Sequence, residues 1–331
     1  CMAERASVDF SDIEAAAQRL AGLAVITPVL ENELLNEAVD ARVLIKPECL
    51  QRTGSFKFRG AYNRISQLTS DELARGVVAW SSGNHAQGVA AAARLLNTPA
   101  TIVMPHDAPR MKLERTLAYG AEVVGFDRFS EDREAIARAI AERSGAALVP
   151  SYDHVDVIAG QGTCGLEFAR QLAESDDQLD SLLVCCGGGG LISGIATAFR
   201  ELSPDTEIYA VEPEEFDDTA RSLKVGKRLG NSAEARSICD ALLADQPGII
   251  TFAINQRLLA GALTVSDEEV REAMRFAFEQ LKLVVEPGGA VALAAVLAGK
   301  LDVAGTTVGI IISGGNVDAE LFAGTIAAGK V

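Results

Sequence analysis

Short apolar runs alternate with longer amphipathic ones along almost the whole chain, the pattern of strand–helix units laid around a parallel sheet. The apolar runs predict strands over 42–46, 77–80, 101–104, 121–125, 181–185, 207–211 and 307–312. The stretches between them repeat their apolar positions at helical spacing, most clearly over 84–96, 131–143, 191–202 and 267–281. Ser11 with Glu14, and Ser266 with Glu269, have the spacing of capping boxes, in which side chains satisfy free backbone N–H groups at a helix start. No fixed-period repeat and no Pro/Ser-rich linker interrupts the pattern, so any two domains exchange the chain more than once. The class is α/β.

A length of 331 residues suits two domains or one large α/β unit with a substantial core. Apolar residues make up 48% and charged residues 23%, which excludes a disordered or fibrous chain. The balance of 30 basic against 46 acidic residues, a net of -16, repels phosphate backbones and anionic lipid, so neither nucleic acid nor a membrane is an expected partner. Six cysteines, at 1, 49, 164, 185, 186 and 239, show no C-x-x-C spacing and read as reduced thiols. His85, His106 and His154 are too scattered for a zinc motif. The first fourteen residues carry acids and no apolar core, unlike a signal peptide, which makes the cytoplasm the expected compartment. The stretch 181–199 is uncharged, but Gly187, Gly188, Gly189 and Gly190 break it into strand, loop and helix rather than a membrane span.

Three glycine-containing turns, 81–88, 187–190 and 313–316, each follow a predicted strand. Loops at the carboxyl ends of parallel strands can offer backbone N–H groups at a helix N-terminus to an anion, and three of them suggest one composite site. In Ser55-Phe56-Lys57-Phe58-Arg59-Gly60-Ala61 a lysine sits among aromatics. Desolvation there would lower its pKa and leave the free amine that Schiff-base chemistry needs. The acidic run Glu212-Pro213-Glu214-Glu215-Phe216-Asp217-Asp218, taken alone, is a solvated loop after a strand.

These motifs together, with Ser82-Gly83-Asn84-His85, Ile158-Ala159-Gly160-Gln161-Gly162-Thr163 and Ser313-Gly314-Gly315-Asn316, resemble the fold-type II pyridoxal phosphate enzymes, and within them the threonine/serine dehydratase and serine racemase branch. The resemblance runs from Thr27-Pro28 to Asn316. It implies two open, twisted, mostly parallel sheets flanked by helices. It also implies a large cofactor-binding domain from 1–68 plus 151–331 and a small substrate-carboxylate-binding domain from 69–150. By resemblance Lys57 is the Schiff-base lysine, Phe56 lies by the cofactor ring, and Gly187, Gly188, Gly189 and Gly190 cradle its phosphate. Asn84 then meets the ring hydroxyl and Ser313 the pyridine nitrogen. Ser82, Gly83, Asn84 and His85 hold the substrate carboxylate. A hydroxyl at Ser313 leaves the ring nitrogen largely neutral, a weaker electron sink that favours β-elimination over a long-lived carbanion. In metal-activated relatives the positions of Glu212, Phe216 (through its carbonyl) and Asp218 bind a divalent cation, here Mg2+, Ca2+ or Mn2+.

The implied activity is removal of water and then ammonia from a small L-β-hydroxy amino acid, serine, threonine or 3-hydroxyaspartate, by a homodimer. Two alternatives stand beside it. One is racemisation, with Lys57 and Ser82 as bases on opposite faces. The other is a non-catalytic nucleotide-binding protein, although the run from Gly187 lacks the third glycine of G-x-G-x-x-G. Two departures bear on the substrate. Ala241 follows Asp240 where many relatives have glycine, and 152–155 lacks a proline common there. The chain ends at Val331 without a second module of the kind that gives biosynthetic threonine dehydratases feedback control, so inhibition by isoleucine is not expected.

Overall fold

Two separate sheets share the strands of the computed structural model, which describes residues 7–81, 83–127 and 130–328. The larger is built from β1 (Leu30–Glu31), β2 (Arg42–Pro47), β7 (Ser181–Cys185), β8 (Glu207–Pro213), β9 (Gly261–Val265) and β10 (Thr307–Ile312). Its order is β1-β2-β10-β7-β8-β9, and only the β1–β2 pair is antiparallel. The smaller sheet, wholly parallel, has the order β5-β4-β3-β6, with β3 (Val77–Trp80), β4 (Ala100–Pro105), β5 (Glu122–Phe126) and β6 (Ala147–Leu148). The chain starts the large sheet, leaves it to complete the small one, and returns. In β7 every residue is buried, as expected for a strand covered by helices on both faces.

All seven predicted strands are present, four of them longer or shifted by one or two residues. The short edge pieces β1 and β6, and β9, carried no run long enough to stand out. The helix expected over 267–281 runs as Asp267–Phe276 and continues as a π-helical turn, Ala277–Leu281, that ends at Lys282 with φ +60°. Ser266 and Glu269 form their capping box. Ser11 and Glu14 do not: the first helix is Phe10–Leu20, so Asp9 takes the cap, and Asp9 and Asp12 supply the box. Ser11 sits one residue inside and donates to Asp9.

The helix Val155–Glu174 organises the interior, and its glycines explain how. A Cβ on Gly160 would lie 2.6 Å from Gly60 Cα, and one on Gly165 would lie 2.8 Å from Ile195 Cα. These glycines therefore let the helices Lys57–Ile65 and Gly190–Leu202, which carry the lysine and follow the glycine loop, pack backbone to backbone against it.

Candidate active site

The segment before Lys57 is pinned to the end of β10. Phe56 N–H donates to the Ser313 carbonyl (3.1 Å) and Gly315 N–H to the Gly54 carbonyl (2.9 Å). Asn316 Nδ2 donates to the Thr53 carbonyl (2.8 Å), and Ser55 and Gly314 form an isolated antiparallel bridge. Two residues past Lys57, Arg59 is buried in an ion cluster. It donates to Glu48 through Nε (2.7 Å) and Nη2 (2.8 Å), and to Glu167 (3.1 Å), which Lys46 also meets at 2.7 Å. Burial alone would raise the Glu48 carboxyl pKa, but Arg59 outweighs it and the net shift is downward. Leaving one partner of such a cluster uncompensated is costly, so the helix start that carries Lys57 is fixed in place.

Lys57 is half-buried, and its Nζ donates to the Ser151 carbonyl (2.7 Å), 5.1 Å from the centroid of the Phe56 ring. Desolvation of the amine lowers its pKa to about 8, with Cys185 and Glu286 opposing. A neutral amine is therefore accessible near physiological pH, as nucleophile or base.

Of the four glycines after β7, three lie against Tyr152 and Leu242 and Gly189 against Asn255 and Thr251. A Cβ on Gly188 would sit 2.4 Å from the Tyr152 ring, one on Gly190 3.0 Å from Tyr152 Cα, and one on Gly187 3.1 Å from Leu242 Cα. Gly189 has φ +92°, a conformation costly to any other residue. Thr251 Oγ1 donates to the Gly188 carbonyl (2.7 Å), which fixes the loop. The first turn of the helix Gly190–Leu202 thus follows a loop whose glycines leave no room for a Cβ of their own.

Asn84 opens the helix Asn84–Leu95, buried, with both ends of its amide engaged: Nδ2 donates to Glu286, and Oδ1 accepts from Asn316 Nδ2 (2.9 Å). His85 Nε2 donates to the Val149 carbonyl (2.8 Å), and its buried Nδ1 meets no partner among the described residues. Burial, with Lys57 adding to it, lowers the His85 pKa to about 3, so the ring is neutral and its one proton is spent on Val149. Only the backbone N–H of His85 is then left to meet a carboxylate. Gly83 caps this helix, its N–H held by Ser81 Oγ (3.1 Å). Ser82 lies outside the described residues. Ser313 is buried at the end of β10, its side chain hydrogen-bonded to Cys185.

Two charged residues at the centre escaped the sequence reading. Glu286 is buried where Asn84, Lys112 and Gly314 converge, and burial raises its pKa against the pull of Lys112 and Asn84. Glu286-Pro287 reads as an ordinary helix start, which it also is, since Pro287 opens the helix Pro287–Leu297. Lys112 lies in the helix Arg110–Ala118 and gave no local signal.

Away from this site, Glu212 and Asp218 are buried side by side, and Phe216 ends the short 3-10 turn Glu214–Phe216 between them. Glu212 accepts from Thr219 N–H (2.9 Å) and Ala220 N–H (2.8 Å). Asp218 Oδ1 accepts from Asn231 (2.6 Å), while Oδ2 is buried with no partner among the described residues. No cluster of three or more His, Cys, Asp or Glu able to hold a metal occurs among the described residues. No helix among them is long and apolar enough to cross a membrane.

A profile of the family described as "Pyridoxal-phosphate dependent enzyme" matches residues 21–314. The chain is 50% identical to an L-threo-3-hydroxyaspartate ammonia-lyase of Pseudomonas sp over 314 residues, 95% of this chain and 97% of that one. It is 43% identical to a serine racemase of Schizosaccharomyces pombe, covering 95% and 96% of the two chains. Among solved structures, maize serine racemase superposes with a TM-score of 0.91 at 36% identity, covering 97% of this chain and 98% of that one.

Proposed function

We propose, for a chain that belongs to the pyridoxal-phosphate-dependent enzymes, β-elimination from a small L-β-hydroxy amino acid, releasing a 2-oxo acid and ammonia. Among serine, threonine and 3-hydroxyaspartate we favour the last, because the relative at 50% identity carries that activity in its name. The observation that carries the reading is Lys57, whose amine lies against the Phe56 ring and is held by a backbone carbonyl rather than a carboxylate, with its pKa lowered to about 8.

The residues present suit the cofactor. The tetraglycine loop, bare of side chains at the head of the helix Gly190–Leu202, suits a phosphate held through backbone N–H groups. Phe56 would flank the ring, Asn84 would hold its hydroxyl, and Ser313 would face its nitrogen. When bound, pyridoxal phosphate supplies an electron sink for the α-carbon. With its amine free, Lys57 would take the α-proton. Asn84 and His85 would meet the α-carboxylate through backbone N–H groups at the helix N-terminus, with Gly83, its own N–H held by Ser81, giving the carboxylate room to approach, joined by Ser82 in this reading.

The same reading takes 69–150 as a small domain set into 1–68 plus 151–331; the strands of the small sheet all fall within it. It makes Glu212, Asp218 and the Phe216 carbonyl ligands of a divalent cation, which would give the orphaned Asp218 oxygen a partner. It places the enzyme in the cytoplasm, where its unpaired thiols stay reduced, as a homodimer.

The test is a visible absorption spectrum of the purified protein, followed by assay of 2-oxo acid from the three L-substrates. A coloured protein that releases 2-oxo acid supports the reading, and a colourless one that binds a nucleotide overturns it. Racemisation is the second reading, favoured by the similarity to serine racemases. If Ser82 serves the face opposite Lys57, Ser82→Ala lowers exchange between D- and L-serine about a hundredfold or more, while elimination from L-serine persists. Equal losses at saturating substrate would leave Ser82 a binding residue.

A further inference from the structure

Among the described residues, Lys112 is the buried cation that lies against the loop expected to hold the α-carboxylate. Its side chain runs over Gly83: a Cβ there would lie 2.5 Å from Lys112 Cδ and 2.9 Å from Nζ. The ammonium is held by two carboxylates from the far side of the site, Asp240 at 3.2 Å and Glu286 at 3.3 Å. Burial favours losing the charge, but Glu286 and Asp240 outweigh it and keep Lys112 protonated. The two partners differ in solvation, since the Glu286 side chain is 3% exposed and that of Asp240 is 31% exposed. Asp240 can therefore give up the ammonium and turn to water at small cost, whereas Glu286 cannot.

Resting on the activity proposed above, we infer that Lys112 determines specificity by pairing with the side-chain carboxylate of a dicarboxylic β-hydroxy amino acid, exchanging Asp240 for the substrate. In such a substrate the two carboxyl carbons are three bonds, at most about 4 Å, apart. An α-carboxylate on the N–H groups that follow Gly83 leaves the second within reach of an ammonium lying on Gly83. Serine and threonine bring no second anion and leave Lys112 with Asp240 and Glu286. The exchange swaps one carboxylate for another at the ammonium, so Lys112 keeps two anionic partners.

The test is the ratio of kcat/KM for L-threo-3-hydroxyaspartate to that for L-serine in the holoenzyme. A charge-assisted hydrogen bond of this kind corresponds to a loss of about tenfold to a hundredfold, so Lys112→Met should lower the ratio by that factor, through KM. Asp240→Asn should raise it, by removing the competing carboxylate. This variant decides the question if Lys112→Met does not fold. An unchanged ratio in both overturns the inference, because Lys112 would then serve every substrate alike or none. Succinate binding, followed by the fluorescence of the single tryptophan, Trp80, at the end of β3, separates this from failure of the proposed activity. If no hydroxy amino acid is turned over, succinate bound more weakly by Lys112→Met than by the parent still supports the pairing, and equal binding overturns it.

Discussion

Lys57 links an environment visible in the sequence to a reactivity that titrates at a definite pH. In the cofactor-free protein, competitive acetylation of the amine should rise to half its limit near pH 8, below the range of exposed lysines, because only the neutral amine reacts. The same shift sets a stability slope. Between about pH 8 and the ordinary 10.5 the unfolded chain binds the extra proton, so the stability of the cofactor-free protein rises with pH across that window. Lys57→Met removes this rise and abolishes borohydride trapping of the cofactor; trapping on Lys46 instead would overturn the assignment. Lys57, Asn84 and Ser313 were legible because each sits in a short motif after a strand or at a helix start. Glu286 and Lys112 were not: they meet across 174 residues of chain, and no local spacing records a contact made only by folding.

At the scale of elements, glycine has two uses here, and only one was legible. The tetraglycine run stood out because it interrupts an apolar stretch. The glycines of the helix Val155–Glu174 were met as a motif, not as a helix, because their purpose is the approach of other helices. The loop yields a direct test. In Gly188→Ala the new methyl meets the Tyr152 ring, and forcing it into a filled space costs about 1–3 kcal/mol. If the cost falls on the cradle, the Kd of pyridoxal phosphate in an absorbance titration rises about five- to 150-fold, and an unchanged Kd removes the loop from the phosphate site. The turn Glu214–Phe216 supports a second test. Two buried carboxylates that lose a bound cation lose its mass-action stabilisation, about 2.7 kcal/mol at a hundredfold excess over Kd. Chelator should therefore lower the melting temperature of the parent and have little further effect on Glu212→Gln. An unchanged parent melting curve would count against a cation there.

For the whole molecule, the alternation of strands and helices announced parallel-sheet architecture and the family resemblance its division into two sheets, but neither says where a second copy would sit. A candidate face has to be sought in the fold, where residues distant in sequence become neighbours. Val25 and Gln51 exchange hydrogen bonds of 2.8 and 2.7 Å, which sets exposed Val25 and Ile26 beside exposed Leu50. Gly315 packs against the Val284 carbonyl and Cys49, which brings exposed Val284 to the same region. Ile26 is 75% exposed, and exposed aliphatic side chains gathered in one region suit a face that a partner covers. The proposed cover is a second copy of the chain. The patch adjoins Gly54 and Gly315, whose mutual hydrogen bond helps pin the segment leading to Lys57, so association would steady the lysine from outside. The double variant Ile26→Asp, Leu50→Asp places charges that a dimer would have to desolvate. Sedimentation should show a dimer for the parent and a monomer for the variant, with pyridoxal phosphate bound more weakly by the monomer. A parent that sediments as a monomer overturns the dimer, and a monomeric variant with unaltered cofactor affinity breaks the link from interface to lysine.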